Sequence, residues 1–336
     1  IGSQPVPDGQ AAALLFGVGS AQFTTVVKHE IPDAVAWLRC AFDHYTEAGE
    51  VDRAVAVAQH QLPMAVFYLV GTAQMAQQAL ALVQRDSHDE GRLLPQYAKA
   101  VYFEENDYDA ARDACTQVMA IAKRENDLEL ELHTLANSVE LEIYHGNFQE
   151  SLEMCLRALE LARRADNPWA EMGVQTFVAV GLLMTGDLQG AKPHLESLRN
   201  LAESLRGCHS LTNAFFASAL ASILEGDWDA ARHFPDQGLA ASSMEQGGLA
   251  NRMHLELELG QFDQLDRLVD AMRITPPGSI ESMFAALAIA LAARVSGSVR
   301  HLEVAEAAAD GILTATNSPT VVAWGARAVL GLIAVL

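Results

Sequence analysis

Four short turns in this chain fall on a forty-residue grid. Asn106-Asp107-Tyr108, Gly146-Asn147-Phe148, Gly186-Asp187-Leu188 and Gly226-Asp227-Trp228 each read small, polar, apolar, and their first residues stand 40 positions apart. An amphipathic helical pattern lies before and after every one of them. Such a period is what helical hairpins produce when they stack in one direction, each burying its apolar face on the next. Proteins of this build bind partners or hold them apart, and seldom carry out chemistry.

Composition agrees with an all-α array. Half of the 336 residues are hydrophobic and 19% are charged, which supplies a core and is too apolar for disorder. Alanine and leucine dominate and β-branched runs are few, a balance that favours helix. The formal net charge is −21, with 22 Lys and Arg against 43 Asp and Glu. Recognition of phosphates needs clustered bases, so this segment is expected to bind neither nucleic acid nor an anionic membrane surface. The apolar run Met283–Ala293 ends at Arg294, and the last segment, Pro319–Leu336, carries Arg327 in its middle. Neither reads as a membrane span.

The helical pattern follows each grid turn. Leu128–Tyr144 carries Leu128, Leu132, Leu135, Val139 and Ile143 on one stripe, and Phe148–Arg164 carries Leu152, Cys155, Leu156, Leu159 and Ala162 on another. Asn126 and Asn147 read as N-caps of these two helices. A helix of ~17 residues is ~25 Å long, so two helices and two short turns fill one period. The pairs Trp169–Met184 with Leu188–Ser204, Ser210–Leu224 with Trp228–Ser243, Gly248–Leu259 with Phe262–Arg273, and Ser279–Val295 with Val299–Thr314 continue the layout. The turns at Gly260 and Gly297 come 34 and 37 residues after their predecessors and leave the grid. Pro276-Pro277-Gly278 breaks a helix, and Pro235 is expected to kink or shorten the one after Trp228.

Four stretches result. Residues 1–9 read as loose, 10–105 as irregular hairpins, 106–245 as regular repeats and 246–336 as off-register repeats, all within one continuous array over 1–336. No initiator methionine or signal peptide is present and the end, Ala328–Leu336, is apolar, so the chain reads as a fragment of a longer protein. That apolar end is also a candidate surface for homo-oligomerisation.

At the turns the sequence resembles the tetratricopeptide repeat. That family places a small residue ahead of a polar-aromatic turn and an alanine five residues on. Here Gly49 is followed by Ala54, Asn106 by Ala111, Gly186 by Ala191 and Gly226 by Ala231, while Ser151 stands after Gly146. The period is longer than the family's usual one and its proline near the repeat end is missing. The stretches Ala41–Ala58, Asp86–Leu94 and Ile274–Gly278 resemble the long-repeat region of large bacterial signalling proteins. Those proteins couple an ATP-binding switch domain or a nucleotide-cyclase domain to such repeats, and many end in a LuxR-type helix-turn-helix. The resemblance implies a right-handed superhelical solenoid of antiparallel helical hairpins. It also implies a non-catalytic sensor or scaffold arm of a cytoplasmic bacterial signalling or transcriptional regulator.

Patterns that carry chemistry are missing from the sequence. Gly17-Val18-Gly19-Ser20 lacks the lysine of a phosphate-binding loop. No two of the eleven histidines flank a glutamate at zinc-helix spacing. Glu104-Glu105-Asn106-Asp107-Tyr108-Asp109 lacks the mid-loop glycine and closing glutamate of a calcium loop, and reads as a solvated turn whose acids favour the next helix dipole. No G-x-S-x-G elbow occurs. Cys115 and Cys155, 40 apart, read as small buried seam residues. No cofactor, metal or catalytic residue is expected.

In tetratricopeptide arrays the first helix of each hairpin lines an inner groove. Counting back from the turns, the matching residues are His133 and Tyr144, then Thr176, Val180 and Met184, then Asn213, Phe216 and Leu220, and finally His254 and Glu258. A groove with an apolar middle and a few polar anchors suits a peptide, a partner helix or a small-molecule effector. The same side chains serve as core if the helices pack the groove shut. Three functions therefore stand at this level. The first is a binding or sensor module engaging such a partner or other domains of its parent chain. The second is a passive structural or self-association module. The third, less favoured, is an enzyme whose site is assembled across repeats.

Overall fold

In the computed structural model, residues 8–25, 31–60, 71–205, 208–241, 246–272 and 279–335 are described. Among them are seventeen helices and no strand. The chain divides into two compact units, residues 1–141 and 142–336. The expected loose start at 1–9, except for Asp8 and Gly9, and the Pro276-Pro277-Gly278 break lie outside the described residues.

The first unit holds α1 (Gly9–Thr25), α2 (Ile31–Glu47), α3 (Val51–Ala58), α4 (Thr72–Leu80), α5 (His88–Glu105), α6 (Tyr108–Glu125) and most of α7 (Leu128–His145), within which the division falls. Leu38, Phe42, Tyr45, Val57 and Leu93 form its early core. Gly17 and Gly19 sit inside α1, in a helix rather than a phosphate loop. The second unit continues with α8 (Phe148–Arg164), α9 (Pro168–Met184), α10 (Leu188–Leu205), α11 (Cys208–Glu225), α12 (Trp228–Ala241), α13 (Gln246–Glu258), α14 (Leu265–Met272), α15 (Ile280–Ser296), α16 (Val299–Thr314) and α17 (Thr320–Ala334).

The grid has a backbone cause. Its first residue closes a helix in the left-handed conformation, with φ of 55° at Asn106, 98° at Gly146, 83° at Gly186 and 73° at Gly226. Glycine and asparagine take that conformation at least cost. The second residue then caps the next helix. Asp107, Asp187 and Asp227 accept from the backbone N–H groups of Ala110, Gly190 and Ala230 at 3.0, 2.8 and 3.1 Å. Asn147 departs from this rule. Its side chain makes no cap bond and instead donates to the Glu142 carboxylate at 2.5 Å. Asn147 still holds the N-cap position of α8, whereas Asn126 is not an N-cap. It closes α6 at φ 54°, and Asp127 caps α7 by accepting from Leu130 N–H at 2.9 Å.

The small residue five places on lets the paired helices close up. Ala54, Ala111, Ala191 and Ala231 are wholly buried and Ser151 nearly so. Cys115 and Cys155 occupy equivalent buried seam positions, and burial pushes the Cys155 thiol up to about 12, which keeps it protonated and unreactive. Pro235 lies inside α12, whose described residues end at Ala241. In the last hairpins Met253, Val269, Ile289, Ile312 and Val322 share one core. Val322, Ala326 and Val329 of α17 are wholly buried in that core, Leu330, Leu332 and Ile333 pack against it partly buried, and Val335 is 79% exposed. Trp324 of the same helix lies over the turn at Gly146, where an added Cβ would come within 2.6 Å of the indole ring.

Candidate functional site

A helix buried on every side but one leaves a single open stripe, and the first helices of the second unit show one. In α9, Met172, Val174, Gln175, Phe177, Val178 and Ala179 are buried, while Thr176 and Val180 are half-buried and Met184 is 63% exposed. The steps of four keep these three on one face. Forty residues on, α11 repeats the pattern. Asn213, Phe216 and Leu220 are half-buried and Leu224 is 56% exposed, amid buried Thr212, Ala214, Ala217, Ser218, Ala219 and Ala221.

Polar bonds fix the helices that carry the stripe. Gln175, wholly buried, donates to Ser197 Oγ at 3.1 Å and meets His194 Nδ1 through its amide oxygen at 2.7 Å, pinning α9 to α10. Burial holds His194 below its ordinary value, and the Arg163 charge adds to this. Arg199 donates to Ser218 Oγ at 3.0 Å and covers the Phe234 ring at 5.4 Å, linking α10, α11 and α12. Asn251 donates to the backbone carbonyl of Phe216 at 3.0 Å and so fixes α13 on α11. With these bonds made inside, the stripe itself stays mostly apolar. The Thr176 hydroxyl is turned to the Met172 carbonyl at 3.2 Å.

Two residues of the surface are not reached by counting forty. The ring of Phe284 in α15 lies 5.4 Å from that of Phe216, and Leu287, one turn on, is 38% exposed. The turns at Gly260 and Gly297, 34 and 37 residues after their predecessors, put α15 off the grid. The usable sequence signal was local: Phe284 and Leu287 three apart on a helix otherwise full of alanine.

The other expected groove residues divide. His254 and Glu258 are on α13, with side chains 41% and 51% exposed and 3.5 Å apart. Tyr144 is 6% exposed and is core rather than surface, because α7 is buried over most of its circumference. His133 belongs to the first unit, where it lines a cavity of about 60 Å³ with Gln59, Arg92, Gln96, Asp127, Glu129 and Leu130. That is well below the ~300 Å³ of small-molecule sites and has room only for a few waters. At positions equivalent to Val180 and Leu220, α7 carries Glu140, wholly buried and 2.7 Å from the Lys99 ammonium.

Burial lowers His133 to about 4 from its ordinary 6.5, and the Lys99 charge adds to this. Between those values the unfolded chain holds the extra proton and the folded chain does not. The contribution of His133 is therefore full above pH 6.5 and is lost as pH falls toward 4. The loss approaches about 3 kcal/mol. Urea denaturation at neutral and mildly acid pH is expected to show it, and His133→Asn to flatten the slope in that window.

No group of three or more His, Cys, Asp or Glu is gathered for a metal among the described residues, and no described helix is long and apolar enough to cross a membrane. No family model matches the sequence, and no curated protein matches it. Solved structures do. The chain is similar to a Rap protein crystallised in complex with Competence and Sporulation Factor, at a TM-score of 0.63 and 14% identity, over 94% of this chain and 86% of that one. It is also similar to a signal-transduction ATPase with numerous domains from Pyrococcus horikoshii, which carries a tetratricopeptide-repeat sensor. There the TM-score is 0.59 and the identity 14%, over 96% of this chain. The chain spans 49% of that ATPase's length. The fold is thus the helical solenoid of the tetratricopeptide-repeat proteins.

Proposed function

We propose that this chain is a non-catalytic, peptide- or protein-binding sensor module of a cytoplasmic bacterial signalling or transcriptional regulator. The observation that carries the proposal is the open stripe Thr176-Val180-Met184 and Asn213-Phe216-Leu220-Leu224, extended by Phe284 and Leu287, on helices whose other side chains are mostly buried. A contiguous apolar patch on a surface marks a place where another molecule docks. Half-buried apolar residues flanked by Asn213 and His254 suit an extended or helical peptide with apolar anchors. The fold neighbours support the reading: one was crystallised with a named factor and the other uses its repeats as a sensor. Occupation of the stripe would bias a switch elsewhere in the parent chain.

Selection of a displayed random-peptide library on the full chain tests this. The reading expects binders that lose about tenfold or more in affinity on Val180→Asp or Phe216→Asp. Leu156→Asp on α8, at a residue 53% exposed, should leave them unchanged. Enrichment of no peptide, or binders sensitive to Leu156→Asp and indifferent to the other two, would refute it.

A further inference from the structure

The edge formed by the hairpin turns of the second unit has an assembly of its own. Lys192 at the start of α10 meets Glu225 at the end of α11 at 2.6 Å. Arg232 of α12 donates to Gln261 at 3.1 Å. These bonds place the turns at Gly186, Gly226 and Gly260 side by side. Large apolar side chains stand out from each turn: Met184 is 63% exposed, Leu224 56%, Trp228 38% and Phe262 42%. Intervening residues are acidic. The stretches 184–188, 224–229 and 258–263 contain Asp187, Glu225, Asp227, Asp229, Glu258 and Asp263 and no lysine or arginine. The two nearby bases, Lys192 and Arg232, are engaged by Glu225 and Gln261.

We propose that this turn edge docks a basic amphipathic helix of a partner protein, with its apolar side chains on Met184, Leu224, Trp228 and Phe262 and its lysines and arginines against the carboxylates between them. Two physical facts choose this occupant. Neighbouring packed helices lie ~8–10 Å apart, so the apolar clusters repeat at about that interval. Seven residues of an α-helix rise ~10.5 Å, so one apolar side chain per heptad meets one turn. Charge selects the sign. A second copy of a chain at net −21 would bring carboxylates against carboxylates, whereas a basic helix gains steering and register from them. Met184 and Leu224 also end the stripe on α9 and α11, whereas Trp228, Phe262, Asp229 and Asp263 belong to the edge alone, so variants at these four test the edge while Val180 and Phe216 test the stripe.

The test uses the full chain and a synthetic helix of about 18 residues with leucine at heptad spacing and lysine or glutamine elsewhere. Fluorescence anisotropy compares it with a same-composition scramble and with a glutamate-for-lysine version. The basic helix is expected to bind about tenfold or more tighter than either control. Trp228→Ser with Phe262→Ser should abolish that preference while the far-UV spectrum and melting temperature hold. Asp229→Lys with Asp263→Lys, which removes no cap and no apolar contact, should do the same and reduce the salt dependence. Equal binding of the scramble overturns the proposal, as does binding unchanged in both double variants. A chain that dimerises and becomes monomeric on Trp228→Ser would also overturn it, in favour of a second copy.

Discussion

Replacing Glu140 with leucine is expected to remove about 3–5 kcal/mol from the stability of the first unit. Lys99 Nζ lies 2.7 Å from Glu140 Oε2, and the two side chains are 1% and 0% exposed. Loss of either partner leaves a buried charge without this counter-charge, which costs more than the intact pair contributes. Lys99→Met should therefore be damaging in the same way, while Lys99→Met with Glu140→Leu should recover most of the loss, since an apolar pair of similar volume can replace a buried ion pair. Urea denaturation of the four chains gives the cycle directly. Strictly additive losses in the double variant would mean the pair is not coupled. Lys99→Met also takes away the smaller of the two influences that hold His133 down, so the His133 titration should move upward in that variant.

The second large effect concerns Glu104. Its carboxylate, at the end of α5, accepts from the backbone N–H groups of Gly71, Thr72 and Ala73 at 2.8, 2.8 and 3.0 Å, and from the Thr72 hydroxyl. One side chain thus satisfies the first amides of α4, a helix of nine residues that supplies no cap of its own. Arg39 fixes the same end by donating to the Gly71 carbonyl at 3.2 Å. Glu104→Ala is expected to cost about 2–4 kcal/mol, because charged hydrogen bonds and helix caps are lost together. Glu104→Gln, which keeps an acceptor without the charge, should fall between. Hydrogen exchange of the amides in 71–80 should accelerate before that of α5 and α6. Uniform acceleration throughout the unit would contradict a local cap.

These two sites show where sequence reasoning stops. The turns were legible because a left-handed closing residue and a capping aspartate are local requirements, met within three positions. The buried Ala54, Ala111, Ala191 and Ala231 were legible for a similar reason, since each pairs with a neighbour in its own hairpin. Glu104 read as a solvated acid in a turn because its partners lie more than thirty residues upstream. An acid at a helix N-terminus was the right kind of contact, on the wrong helix. Lys99 and Glu140, 41 apart, carried one faint signal: a lysine set in Ala98, Ala100 and Val101. The stripe on α9 and α11 followed from the grid. Tyr144 did not, because the grid fixes which face a residue takes and not whether a neighbour covers it. Phe284 and Leu287 escaped because the turns at Gly260 and Gly297 come 34 and 37 residues after their predecessors and so leave the forty-residue count.

Photo-crosslinking tests the central claim most directly. A benzophenone amino acid is placed at position 180, 220 or 156 of the full chain, and each protein is irradiated with the tightest peptide selected on it. A binding stripe on the first helices predicts crosslinks from 180 and 220, competed by unlabelled peptide, and none from 156. Crosslinking from 156 alone, or from all three positions equally and without competition, would contradict it.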